Sequence, residues 1–488
     1  MSGALLTALL RVRAAQEGRA QRAARFRHLH IADEPLVVAA YNLAGDPASP
    51  LGIVYGTDRE RPCFRVAPEP RNRDIRFRLL NTFFSDFVAY VDALPEGDPP
   101  QVIAGNQATL DYLFRIGDSV RFLPVGEGVE PETVLGGRHL VRLVERRQRP
   151  GAATAVALTR DLAAHWITGQ SALEDAALGP LLAWIDPPEG QTGRGAAESA
   201  EHTGLPVGPL PKPEWDEKLA RLITKFNEAR DGATDPKLVS RLGTPVKRMV
   251  RDALMESWDD VWRGLDLLVD LPEAPHAQER WAEDSEDWAA WRKYIHVPEA
   301  RLARKTSARA AVWQLGDREQ AQRRVEAQKI VDDPLKFVAA VADGLALSGL
   351  VVSADPDRKI VPPGRKNKVS RPLFTLSLER PSPLPLHTEV FWLDRLACQG
   401  RIVEMTMSPP RVTIEIAKGT RRTRGEDPTF PRLGREARFT TLDPGQDWRI
   451  KLPDADEVWT HSHMVPETQA VADQDSDFVP QLPDGDDA

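Results

Sequence analysis

From about Leu373 onward the hydrophobic pattern of the chain has a period of two, and this constrains the fold more than any other feature. The segments FTLSL, TEVFWL, GRIVEM, RVTIEI and ARFTTL alternate apolar and polar side chains, and Pro, Gly and charged turns separate them. Such alternation puts one face of a strand in a core and the other in water, which antiparallel sheets permit. A small antiparallel β-barrel or sandwich is therefore expected over residues 346–460.

The first half of the chain reads differently. Leu36 to Tyr41, Leu51 to Tyr55 and Cys63 to Val66 are short apolar runs between Gly, Pro and Asp turns, the pattern of a three-stranded meander. Residues 75–94 then place apolar side chains at 80, 83, 84, 87, 88, 91 and 94, which is helical spacing. Gln101 to Ala104 reads as a fourth strand, GNQATLDYLFRIG (105–117) begins a further helix, and Ser119 to Leu123 is expected as a fifth strand. The order is β-β-β-α-β-α across 31–185.

Residues 186–213 are rich in Gly, Pro, Ser and Glu without periodicity, so a linker and domain boundary are expected there. Residues 214–345 read as a helical bundle or stalk. Its Trp258/Trp262 and Trp288/Trp291 pairs sit at helical spacings that suit a packed core better than a base-stacking platform. Residues 461–488 are acidic with little apolar material and are expected to be a disordered tail.

A chain of 488 residues is too long for one ordinary core, which implies two to four domains. A net charge of −8 does not advertise a nucleic-acid partner, so any such binding must rest on local patches. Cys63 and Cys398 stand far apart without metal-ligand spacing, which argues against a disulfide scaffold or zinc site and fits a reducing cytoplasm. No run approaches the roughly 18 apolar residues of a membrane span. Residues 1–30 carry Arg11, Arg13, Arg19, Arg22, Arg25 and Arg27 against Glu17, an amphipathic pattern that could pass for a transit peptide. The missing Ser enrichment favours an ordinary Arg-rich helix. Heavy use of Ala, Arg, Pro and Asp matches a high-GC bacterial gene.

Asn106-Gln107-Ala108-Thr109-Leu110-Asp111 and Gln170-Ser171-Ala172-Leu173-Glu174-Asp175-Ala176 carry a family resemblance. Residues 36–185 resemble the proofreading-type 3′→5′ exonucleases, which have a ribonuclease-H-like fold and use four carboxylates and a histidine. The resemblance implies an α+β multidomain chain with a ribonuclease-H-like α/β N-terminal domain, and it places Asp111 and Asp175 on catalytic positions. It also places Asn42 and Ala44 where the family has the first-strand acids, and Gln170 where it has the general-base histidine.

These replacements matter chemically. The mechanism needs two divalent ions held roughly 3.5–4 Å apart by carboxylates. Ala44 supplies no side-chain ligand, Asn42 is a poor one, and Gln170 cannot take a proton near neutral pH. A vestigial pocket of Asn42, Ala44, Asp111, Gln170 and Asp175 is expected, with no metal or other cofactor. Mg²⁺ or Mn²⁺ would enter only if Asp46, Asp111 and Asp175 made a divergent metal-dependent nuclease. The plainer reading has Asp46 capping a Gly-Asp-Pro turn and His165 decorating a helix. The His28/His30 and His461/His463 pairs lack the partners of a metal site.

Phosphate-loop and nucleophile-elbow motifs are absent. Two basic clusters remain: Arg358, Lys359, Arg365, Lys366, Lys368 and Arg371, and then Lys418, Arg421, Arg422 and Arg424 in a hairpin loop after RVTIEI. Cationic loops beside a small barrel suit a grip on backbone phosphates. The expected function is therefore that of a catalytically inactive, nuclease-like binding or assembly protein, contacting DNA or RNA beside a helicase or nuclease and touching no membrane. A protein–protein scaffold without nucleic acid is the remaining alternative.

Overall fold

The computed structural model describes residues 3–231, 241, 243–297, 302, 306, 308–362, 364, 366–419 and 430–443, and within them the chain is α+β. It opens with α1 (Gly3–Glu17) and the short β1 (Gln21–Arg22), followed by β2 (Leu36–Leu43), β3 (Asp46–Gly56) and β4 (Cys63–Val66). Then come α2 (Arg73–Ala93), β5 (Val102–Ala104), α3 (Gln107–Val120), α4 (Pro131–Arg146), β6 (Ala155–Ala157), α5 (Leu158–His165) and β7 (Trp166–Ile167). Five strands form one sheet in the order β4-β3-β2-β5-β6. The β4/β3/β2 pairs are antiparallel, whereas β5 runs parallel to β2, and β6 parallel to β5.

Central strand β2, LVVAAYNL, is buried along its whole length. Helices on both faces of a sheet demand such an uninterrupted apolar strand, and its side chains divide between the two faces with period two. Leu36, Val38 and Ala40 enter one core with Phe83, Phe84 and Phe87 of α2 and Leu110 and Leu113 of α3. Val37, Ala39, Tyr41 and Leu43 enter a second core with Val250, Leu254, Trp258 and Val261.

Those last four residues belong to a helix from the expected helical region. After α6 (Leu178–Ile185), α7 (Gly193–Thr203) and α8 (Pro213–Asp231), α9 (Thr244–Val269) lies across the sheet. Its approach is close enough that a Cβ on Gly52 of β3 would stand 2.7 Å from Val250 Cγ1. Trp258 is fully buried, and its indole N–H donates to the Arg59 carbonyl at 3.0 Å. Next, α10 (Pro275–Ile295) brings Trp288 into the core under α2 and α4 and sets Asp284 against Arg146 at 2.8 Å. Trp258 and Trp288, with Trp262 and Trp291 packed against the same cores, are thus packing residues, as their spacing suggests.

Three expectations need correction. The boundary at 186–213 is not a break in packing: α7 buries Ala196 and Ala197 against Trp184, and Val207 joins the core shared by β2 and α9. The helices after 214 therefore complete the sheet domain. Ser119 to Leu123 is not a strand, because the buried face Leu110, Leu113, Ile116 and Val120 keeps helical spacing to its end, where Leu123 N–H bonds the Val120 carbonyl. The fifth strand is β6. Residues 1–30 are not one helix either: α1 stops at Glu17, Gly18 takes φ +65°, and β1 pairs antiparallel with β7.

The chain continues through α11 (Ala308–Asp332) and α12 (Pro334–Asp343) into β8 (Ala346–Asp355), the small pair β9 (Lys359–Ile360) and β10 (Val369–Ser370), and then β11 (Leu373–Ser377). The last described strands are β12 (Glu389–Trp392), β13 (Gln399–Met407), β14 (Pro410–Ile416) and β15 (Glu436–Thr440). Six of these close an antiparallel barrel in the order β11-β14-β13-β12-β15-β8. Inward residues such as Phe374, Leu376, Val390, Ile402, Ile414 and Phe439 fill it. Irregular registers at Thr375/Leu376 and Ile402/Glu404 provide the bends that closure requires. The alternating segments of the sequence supply five of the strands, and β8 is added from outside them. Among the described residues no helix is long and apolar enough to cross a membrane.

Buried polar groups tie the N-terminal segment to the rest. Asp333 caps α12 and also accepts from the N–H groups of Arg25 and Phe26 and from His28. Burial alone would raise its pKa, but these bonds outweigh burial and hold it at about 2. His165 is buried rather than surface decoration: Nε2 accepts from the His28 N–H at 3.2 Å, so the ring is neutral. Burial pushes its pKa down to about 4. His139, whose Nδ1 accepts from the Trp291 indole at 3.0 Å, is pushed by burial to about 3.

Two consequences are measurable. Trp258→Ala should cost about 3–5 kcal/mol, and denaturant unfolding followed by circular dichroism and by fluorescence should remain one coincident transition for sheet and helices. An independent helical domain would give two transitions. For the histidines, folded pKa values lie below the unfolded value of about 6.5, so the unfolded state binds more protons below that pH. Their contribution is complete above about pH 6.5 and fades as pH falls toward 4, so melting temperature should drop over that window, and less steeply in a His139→Gln/His165→Gln variant.

Candidate functional site

Asn106, the first residue of the best-kept exonuclease-like motif, is the N-cap of α3. Its Oδ1 accepts from the N–H of Thr109 at 2.8 Å and from its hydroxyl at 2.9 Å, satisfying first-turn donors as an Asn cap does. Its Nδ2 donates to the carbonyls of Val207 and Gly208 at 2.7 and 3.0 Å. Asp111, one turn further along, is exposed and accepts from Gln107 Nε2 at 2.7 Å.

The remaining positions do not gather around it. Gln170 does sit beside Asp175, donating to Oδ1 at 2.9 Å, and Thr168 donates to the same oxygen at 2.6 Å. Arg11 of α1 lies 3.7 Å from the other carboxylate oxygen. Asp175 is thus a buried anchor for the loop after β7 and for α1. Asn42 is buried on β2 and its N–H donates to the Pro209 carbonyl at 2.9 Å. Ala44 lies in the turn that follows β2, and Asp46 accepts from the Ser49 hydroxyl at 2.6 Å. Among the described residues no three of His, Cys, Asp and Glu come together as a metal-holding group. The Asp46/Asp111/Asp175 set is therefore not assembled.

Open sheets with parallel strands bind ligands outside the carboxyl ends of those strands, here β2 and β5. Residues 206–209 lie across that place. The Tyr41 hydroxyl donates to the Pro206 carbonyl at 2.5 Å, and burial raises the Tyr41 pKa to about 12, keeping it a neutral donor. Val207 is buried so tightly that a Cβ on Gly105 would stand 2.5 Å from its Cγ1. Gly208 has φ +43°, and a Cβ there would meet the Ala40 carbonyl at 2.1 Å. The crevice is filled by the chain itself.

The described residues of the two basic clusters lie at one edge of the barrel, where Arg371 bonds the Ala417 carbonyl next to Lys418. Strands β8 and β11 continue past the barrel as the β9/β10 pair, forming an arm. Arg358 and Arg371 lie at its base. Arg358 donates to Glu415 Oε2 at 2.5 Å and to the Arg371 carbonyl at 3.0 Å, while Arg371 donates to the Ala417 carbonyl at 2.9 Å. These two arginines fasten the arm to β14, with Glu415 as their shared acid. Lys359, Lys366 and Lys368 on the arm and Lys418 at the start of the next loop are exposed. Arg365, Arg421, Arg422 and Arg424 lie outside the described residues, as do His461, His463 and the acidic tail.

The sequence reading missed a third cationic group, Arg65, Arg78, Lys247 and Arg251, which the fold collects at one cavity from β4, α2 and α9. Their positions share no spacing that could have signalled this. Glu415 was equally silent, an acid in a strand pattern whose partners lie 57 and 44 residues away in sequence. Comparison with protein-family models, curated proteins and solved structures finds no match to the chain.

The two carboxylates of the motif should behave differently on substitution. Asp111→Ala should change stability by no more than about 0.5 kcal/mol, as surface changes usually do. Asp175→Ala strands the Thr168 and Gln170 donors and should cost about 1–3 kcal/mol. Urea unfolding of the two variants reads the difference, and equal effects would show that Asp175 is not an anchor.

Proposed function

We propose that the chain is a catalytically silent, nuclease-like binding or assembly protein that grips DNA or RNA through the basic rim of its barrel. It would serve as an accessory factor in bacterial nucleic-acid metabolism or defence, beside a helicase or nuclease. The observation that carries this reading is the rim: Lys359, Lys366 and Lys368 on the arm and Lys418 after β14 are exposed, while Glu415 is already engaged by Arg358 and Arg371. Several exposed cations on one edge suit a run of phosphates, with Asp355 and Asp357 as the exposed acids at the base of the arm. The strand order β4-β3-β2-β5-β6, with β2, β5 and β6 parallel, supports the ribonuclease-H-like reading of the first half. The crevice occupied by residues 206–209 supports a catalytically silent reading, since Tyr41, Asn42 and Asn106 are engaged in holding that segment.

Fluorescence anisotropy with labelled single- and double-stranded DNA and RNA tests the grip. The Lys359→Ala/Lys366→Ala/Lys368→Ala/Lys418→Ala variant should bind at least about 10-fold more weakly at low salt. Its log–log salt slope should be shallower by about 0.7 for each phosphate of a single strand that the protein no longer neutralises. Absent or salt-insensitive binding would turn the reading toward a protein–protein scaffold. Cleavage in Mg²⁺ or Mn²⁺ that Asp111→Ala abolishes would overturn the loss of catalysis.

A further inference from the structure

The cavity that collects Arg65, Arg78, Lys247 and Arg251 shares no lining residue with the barrel rim or with the filled crevice. It measures about 740 Å³ and is bounded by β4, α2, the end of α8 and the start of α9. That volume falls within the range of roughly 300–1,000 Å³ that small-molecule sites occupy. Its floor is apolar, built from Phe64, Val66, Ile75, Leu79 and Phe226.

Its rim is cationic. Arg65 is held by Asp86, which accepts from its guanidinium at 2.7 Å and from the Tyr55 hydroxyl at 2.5 Å. Among the described residues no carboxylate pairs with Arg78, Lys247 or Arg251, all of them exposed at the mouth. Arg251 lies over the Phe64 ring at 4.8 Å from its centroid, which fixes a guanidinium at the boundary of floor and rim. The 26-residue helix α9 also begins at the cavity wall, with Gly243 as its N-cap, and among the described residues no side chain caps its first turn. The positive end of its dipole therefore adds to the field of the three side chains.

An apolar floor under a cationic rim asks for a ligand with a flat, weakly polar body and a multiply charged anionic end. We propose that this cavity is a nucleotide site: the base lies against Phe64, Val66 and Ile75, with Phe226 and Leu79 buried beneath, and the phosphates meet Arg78, Lys247 and Arg251. Inorganic phosphate would leave the floor uncovered, and a neutral heterocycle would leave the rim without a partner. A free nucleotide and the 5′-phosphorylated end of a nucleic-acid strand share this chemistry. The site stands independently of the barrel rim.

Isothermal titration of the full chain with ADP, with pyrophosphate and with a 5′-phosphorylated decanucleotide tests it. The expected result is ADP binding that weakens at least 10-fold in Arg78→Ala/Lys247→Ala/Arg251→Ala and is unchanged in the barrel variant lacking Lys359, Lys366, Lys368 and Lys418. Phe64→Ala should weaken ADP but leave pyrophosphate unchanged, with the milder Phe64→Leu repeating the trend should the alanine variant misfold. Decanucleotide binding tighter than ADP, and lost in the same cavity variant, would assign the site to a strand end; weaker binding would assign it to a free nucleotide. Failure of ADP to bind at millimolar concentration, binding unaffected by the cavity substitutions, or equal affinity for ADP and pyrophosphate would each overturn the proposal.

Discussion

The architecture depends on the burial of β2 from both sides. An eight-residue strand with no polar face must be covered twice, and the chain reaches more than 200 residues forward to find its second cover in α9. Trp258, Leu254 and Val250 lie on Val37, Ala39 and Tyr41, while α2 and α3 occupy the other face. Burying a Trp or Leu side chain contributes on the order of 1.5–3 kcal/mol, so this second layer is as much a part of the domain as the first. The helices that follow the Gly- and Pro-rich stretch are accordingly one wall of the sheet domain, and the stretch itself is packed.

The same long reach decides the fate of the crevice beside β2. To bring α9 onto the sheet, the chain passes the carboxyl ends of β2 and β5, and residues 206–209 settle there on Asn42, Asn106 and Tyr41. Asn106 illustrates the exchange: a residue resembling a nuclease motif serves here as helix cap and as clasp for the crossing segment. Asp175 is a buried acceptor for Thr168 and Gln170. Each of these polar groups thus has structural work.

The barrel presents a different economy of charge. Arg358 and Arg371 share Glu415 and stiffen the arm, leaving the lysines beyond them unengaged by that acid. Arginine suits the first role because its planar fork reaches a carboxylate and backbone carbonyls together, whereas lysine is a mobile, hydrated point charge. A net charge of −8 for the whole chain conceals this local arrangement.

The sequence by itself determined the elements. Period-two alternation marked five barrel strands, the apolar run Leu36 to Tyr41 marked a strand, and apolar spacing marked α2, because local periodicity records which side of an element must leave water. What only the tertiary structure decided was which distant faces meet. Nothing local to residues 186–213 shows that Val207 belongs under β2, since a Gly- and Pro-rich stretch looks the same in water as against a sheet. Ser119 to Leu123 misled for a related reason: a short apolar run fits a strand or the last turn of a helix, and the packing of Ile116 and Val120 settles it. Likewise Arg65, Arg78, Lys247 and Arg251 are ordinary surface charges in the sequence and become a cavity rim only when α9 is laid against α2 and β4. Charge and hydrophobicity are written along the chain; adjacency across it arises from the burial they compel.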